Sequence, residues 1–202
     1  MPSASEIQNS MIGAWRLLLG RREGMRQLDT TADGFWDSFF AMLVALPALL
    51  IGWVAFANDL VALPEVYGSR SSIIARLFVA EAGKWVVPIV ALAIAARPLG
   101  IADRFVPYVV ASNWATAVLV WLTLPLPLLR LALGSGSEIV MALSLGVFIA
   151  TLVLSWRLTN AVLERGPGTA TAVVVAMVVF SILLALWLET ALGLYVPDAS
   201  LE

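Results

Sequence analysis

The sequence predicts an all-α, polytopic membrane protein: five transmembrane helices preceded by an N-terminal amphipathic helix. Composition is the first observation behind this. The 202 residues are 61% hydrophobic and only 13% charged, with a mean hydropathy of +0.94. A soluble domain is about half apolar and about a quarter charged, so the excess apolar surface must face lipid. The second observation is spacing. Apolar runs of about twenty residues recur along the chain, each long enough at 1.5 Å per residue to cross a hydrocarbon core of about 30 Å. The third is that the charges between those runs sort by side.

Composition also narrows the chemistry. Cysteine and histidine are both absent, which removes disulfides, zinc–thiolate sites, haem ligation by His, Cys nucleophiles and His acid–base catalysis. The net charge of -2 predicts no nucleic-acid partner. No cofactor or metal is expected. The expected partners are the lipid bilayer and a membrane protein of unspecified identity. At this length the chain is one membrane domain, with no room for a soluble module beside the spans.

Residues 1–34 read as a cytoplasmic amphipathic helix and connector rather than a signal peptide, because no long apolar core follows a basic start. Ser3 and Glu6 have capping-box spacing. Ile7, Met11, Ala14, Trp15 and Leu18 then form one helical stripe, with Asn9 and Arg16 opposite. Trp15, Arg21, Arg22 and Arg26 are the residues expected to meet lipid headgroups. The alternative is a helix packed against the ends of the spans. The polar run 29–34, DTTADG, is a connector.

The five-helix domain covers 35–196. Its first span, about 35–57, has Phe35 and Trp36 at one boundary and Trp53 near the other, as an aromatic belt requires. Pro47 should bend it. The second span, about 71–96, carries Arg76 at its rim and Glu81 and Lys84 inside; Lys84 is the only lysine in the chain. A charge at the centre of a span costs about 2.5–3.5 kcal/mol, so it persists only when paired, wetted or useful. Glu81 and Lys84 share a helix face at a separation of three and can neutralise each other. Pro88 should free a carbonyl close to Lys84.

The third span, about 106–126, holds Asn113, a strong amide of the kind that glues helices together, and ends in LPLPLL. Glu81, Lys84 and Asn113 form the candidate intramembrane polar cluster. The fourth span, about 138–158, places Ala142, Gly146 and Ala150 four residues apart. That small-residue ridge is read as a surface for tight packing within the chain. The fifth span, about 170–189, is uncharged until Glu189, which falls at the depth of Arg76 and makes the two a candidate rim pair. Residues 197–202 are a short external tail.

The basic residues define orientation. Arg16, Arg21, Arg22, Arg26, Arg97, Arg104, Arg157 and Arg165 share one side, against Arg70 and Arg130, with Arg76 at the rim, on the other. The positive-inside rule then expects a cytoplasmic N-terminus and an external C-terminus. The dominance of Arg over Lys suits a high-GC bacterial genome, and the expected location is a bacterial cytoplasmic membrane.

An amphipathic start, five closely spaced spans and a short external tail resemble the Yip-domain family of integral membrane proteins. The similar segments are ASNWATAVLVWLTLPLPLL in the third span and ERGPGTATAVVVAMVVF entering the fifth. The DLYGP-type motif of that family's eukaryotic members is not matched: Asp59-Leu60 occurs after the first span without the residues that follow. The resemblance implies a non-enzymatic protein that organises or assists other membrane components, and it carries over no binding residue. An adaptor or assembly partner is therefore the first functional expectation. A small transporter or channel subunit using Glu81 and Lys84 is the alternative. Intramembrane Ser–Lys catalysis is disfavoured, because Ser71 and Ser72 lie more than two turns from Lys84 on the same helix.

Overall fold

The computed structural model describes residues 1–63, 67–134 and 137–194. Regular structure among them is helical: α1 (Ala4–Leu18), α2 (Ala32–Asp37), α3 (Phe40–Val61), α4 (Arg70–Ala95), α5 (Phe105–Thr123), α6 (Pro125–Leu133), α7 (Glu138–Leu163) and α8 (Pro167–Ala191). Short 3₁₀ turns occupy Arg22–Gln27 and Ala102–Arg104. Five helical stretches are long and apolar enough to cross a membrane: Ala32–Val61, Arg70–Ala95, Ala102–Leu133, Glu138–Leu163 and Pro167–Ala191. They coincide with the predicted spans. The tail 197–202 lies outside the described residues.

The ends of the spans differ from expectation for local reasons. The first span is two pieces, because the chain breaks between α2 and α3, where the Ser38 hydroxyl donates back to the Phe35 carbonyl at 2.7 Å. In the third, proline is well tolerated in a helix's first turn. Pro125 therefore starts α6, which runs through what the sequence presents as a loop and ends at Gly134, φ +84°. The fourth continues past 158 to Leu163, where Glu164 closes it in the left-handed region at φ 53°.

α1 begins with the predicted capping box. Glu6 N–H donates to Ser3 Oγ, and Ser3 N–H donates to Glu6 Oε2. That backbone hydrogen bond holds the Glu6 carboxyl below its ordinary range. The helix does not rest its stripe on a lipid surface. It packs across the ends of α5 and α7, burying Ala14, Leu17 and Leu18 completely. Ile7 and Met11 pack against the same core, but Trp15 is 39% exposed. The buried face is turned toward Ser10, Gly13 and Leu17 because the following 3₁₀ turn lies on Gly13.

α2 is set by a polar turn. Asp29 accepts from the Thr31 backbone N–H at 2.9 Å, and Thr31 Oγ1 accepts from Gly34 N–H at the helix start. The Thr31 N–H, then its hydroxyl, stabilise the Asp29 carboxylate and hold it below an ordinary aspartate's 3.8. A depressed pKa contributes stability above the unfolded value and loses it as pH falls through the folded one. The stability advantage over Asp29→Asn should therefore be constant from neutral pH to about 5 and vanish under stronger acid. Thermal melts of both proteins across that range check this. A difference that persists below the folded pKa would refute this role for the Asp29 charge.

α5 is the centre of the bundle. Val109, Val110, Ala111, Trp114 and Ala117 are all buried on it, and α1, α3 and α7 pack around it. α4 lies against α3 and α8, and α8 spans α4 and α7 with only Ala170 and Val173 buried. A smaller cluster of Ala57, Leu60, Ile73 and Leu194 closes the end opposite α1. Large side chains such as Ile94, Met141, Leu145, Leu183 and Trp187 point outward and are exposed. Water-soluble monomers rarely present continuous apolar surface of this kind.

The α7 ridge corrects one expectation. Ala142, Gly146 and Ala150 are all exposed, and a Cβ built on Gly146 would meet nothing within 4 Å. The ridge is not spent on packing within the chain. α7 uses other residues, Leu158, Ala161 and Val162 among them, to meet its neighbours.

Candidate functional site

The polar residues of the spans converge on a cleft between α4, α5 and α8. On α4, Glu81, Lys84, Trp85 and Pro88 follow at steps of three, one and three, which puts them on one helix face. α8 comes close here because α4 has Gly83, where a Cβ would lie 3.1 Å from Leu188 Cδ1. Lys84 Nζ stands 2.7 Å from Glu81 Oε2, with the two side chains 35% and 18% exposed. Proline supplies no N–H to the carbonyl four residues back, so Pro88 leaves the Lys84 carbonyl without its helical partner.

Asn113 on α5 joins three elements. Its side-chain oxygen accepts from Trp85 Nε1 at 3.0 Å, and its Nδ2 donates to Ser38 Oγ at 2.9 Å. Ser38 passes the chain on to the Phe35 carbonyl. Asn113 is 3% exposed and Ser38 fully buried, so this link is made where water cannot substitute for it. The cleft holds about 190 Å³ and is lined by Glu81, Lys84, Ser112, Asn113, Thr116 and Ser181 with apolar neighbours. It shares Thr116, Met177 and Ser181 with a second cleft of about 420 Å³, which reaches Tyr108, Ser155 and Thr159 between α5, α7 and α8. Ser112 and Thr116 spend their hydroxyls on carbonyls of their own helix.

The structure thus brings Glu81, Lys84 and Asn113 to one place. Trp85 follows Glu81 by four residues, so the sequence already puts it on the same helix face. Ser38 carried no such signal, since it reaches Asn113 only through the α2–α3 break and a separation of 75 residues.

Arg76 and Glu189 do not form an ion pair. Arg76 Nη1 donates to the carbonyls of Leu192 and Gly193 at 3.0 and 3.1 Å, and Nη2 donates to the Tyr67 carbonyl. Those two carbonyls lie just past Ala191, where α8 ends, so the guanidinium sits at the negative end of the helix dipole. That clamp outcompetes a carboxylate on the surface. On the same end, Asp59 of α3 pairs with Arg130 of α6 at 2.5 Å, a tie between segments the sequence presents as separate loops.

At the α1 end, Arg22 and Arg104 both meet Glu164, and Arg165 donates to both oxygens of Asp103 at 2.8 Å. Trp15, Arg21, Arg22 and Arg26 are all exposed. Among the described residues no three His, Cys, Asp or Glu side chains stand close enough to hold a metal ion. No family model, curated protein or solved structure matches the chain.

Proposed function

We propose that the protein is a non-enzymatic, multi-pass integral membrane protein that serves as an adaptor or assembly partner for other membrane components. The observation that carries this reading is the exposed ridge of Ala142, Gly146 and Ala150 on α7, where nothing within the chain covers Gly146. Small residues four apart let a second helix approach closely. The polar interior supports it too, because Asn113 and Arg76 are committed to partners inside the chain. The topology-level likeness to Yip-domain proteins points the same way.

The test is capture of a stoichiometric partner from membranes in mild detergent. Gly146→Leu should leave the melting temperature of the purified protein unchanged, since the new side chain meets open space, while abolishing co-purification. A variant that keeps its partner, or a wild type that yields none, overturns the proposal. The setting is a bacterial cytoplasmic membrane, with the N-terminus inside and the C-terminus outside, as the positive-inside rule requires. Reporter fusions at the two ends should then report opposite compartments; a shared compartment would contradict five spans.

One observation favours a second reading, a small transporter or channel subunit. The Glu81–Lys84 pair lines a cleft that continues past Ser181 toward Tyr108 and Thr159. Polar surface at membrane depth is tolerated where it lines a wet cavity.

A further inference from the structure

Three of the cations at the α1 end are consumed by acids, Arg22 and Arg104 by Glu164 and Arg165 by Asp103. Arg21 and Arg157 are not. Both are exposed, and neither side chain makes an ion pair or hydrogen bond among the described residues. The fold nonetheless brings the segments that carry them together. Gly20, at φ +80°, turns the chain out of α1 so closely against α7 that a Cβ on it would lie 3.9 Å from Arg157 Cβ. Like charges carried on adjoining segments repel each other, and an anion held near both relieves that repulsion.

The residue before Arg157 opens onto apolar surface. Trp156, next to Arg157, lines a groove of about 350 Å³ between α7 and α8, together with Leu152, Val153, Val174, Val175 and Val178. Its indole N–H is already satisfied by Thr171 Oγ1 at 3.0 Å. From Thr171 the groove follows α8 as far as Val179, about 12 Å at 1.5 Å per residue. A ligand that fits both features has an anionic head and a hydrocarbon tail.

We infer that this corner binds one anionic phospholipid, its phosphate against Arg21 and Arg157 and one acyl chain in the α7–α8 groove. The inference rests on reading α7 and α8 as spans whose outer faces meet lipid. Recognition is by charge at the head and by shape at the tail, so a zwitterionic lipid with identical chains keeps only the second.

Native mass spectrometry of the full chain, purified in mild detergent and loaded with phosphatidylglycerol or phosphatidylcholine of the same acyl chains, tests this. The wild type should retain phosphatidylglycerol selectively. Arg21→Gln with Arg157→Gln should weaken that retention roughly thirtyfold, to the phosphatidylcholine level, as expected for two arginines near an anionic surface. Arg97→Gln, at an exposed arginine on the α4–α5 connection that has no ion pair among the described residues, should not. Val175→Trp, filling the groove from its exposed side, should lower retention of both lipids with every arginine in place, and it stands as a test even should the double variant fold poorly. Unchanged selectivity in the double variant, an equal loss in Arg97→Gln, or displacement of the lipid by inorganic phosphate would each overturn the site. A chain that stays monodisperse without detergent would overturn the membrane reading instead.

Discussion

Gly24→Ala should be among the most damaging single substitutions in the chain, costing about 3 kcal/mol and detaching α1 from the bundle. The 3₁₀ turn lies on α1 backbone to backbone. A Cβ on Gly24 would collide with the Gly13 carbonyl oxygen and stand 3.0 Å from Leu17 Cγ and 3.1 Å from Arg16 Cβ. The contact is reciprocal, since a Cβ on Gly13 would lie 2.8 Å from the Gly24 carbonyl oxygen. Overpacking costs about 1–3 kcal/mol where side chains can rotate away. Here the obstacle is main chain, and no rotamer relieves it. Leu17 and Leu18, fully buried beneath the turn, must move with it. The melting temperature in detergent should fall, and protease should reach the first thirty or so residues well before the spans unfold. Gly146→Ala is the contrast, because its Cβ meets open space and alanine is the better helix former by about 1 kcal/mol. Equal stability of Gly24→Ala and wild type would show that α1 is not held by this contact.

The same glycines show where the sequence was legible. Helix length and apolar character follow from hydropathy, a property of each segment alone, and so the five helices long and apolar enough to cross a membrane and the capping box on Ser3 and Glu6 were readable in advance. The Glu81–Lys84 pair was also readable, because three-residue spacing on a helix is a distance as well as a count. Features that depend on which helix faces which were not. The α1 stripe includes Trp15 by periodicity, yet the close approach at Gly13 and Gly24 turns that residue outward. Arg76 had a carboxylate at similar predicted depth, yet it took backbone carbonyls just past the end of α8, groups no residue letter announces. The α7 ridge has the spacing of a packing surface. Spacing states that a backbone can approach, and says nothing about whether the approaching helix belongs to the same chain.

Glu81→Ala is expected to destabilise the protein by about 3 kcal/mol, and Glu81→Ala with Lys84→Ala to recover most of that loss. The carboxylate is the ion partner the described residues provide for Lys84 Nζ, at 2.7 Å. Removing it strands an ammonium group against α5 and α8 in surroundings that solvate it poorly. Breaking a buried pair from one side costs about 3–5 kcal/mol, whereas replacing both members by apolar groups is often neutral. Lys84 keeps 35% of its side-chain surface open toward the cleft, which places the expected cost at the lower end of that range. Melting temperatures of wild type, both single variants and the double variant give the coupling between the two residues directly. Single variants as stable as wild type would mean that water in the cleft already solvates the charges, and the lock would be refuted. The double variant then separates the two functions. If it regains stability and still captures its partner, the pair serves the architecture and the adaptor reading stands. If it regains stability but a solute flux measurable with wild type in liposomes disappears, the charges serve the cleft itself, because a fold restored without them has lost only what they did there.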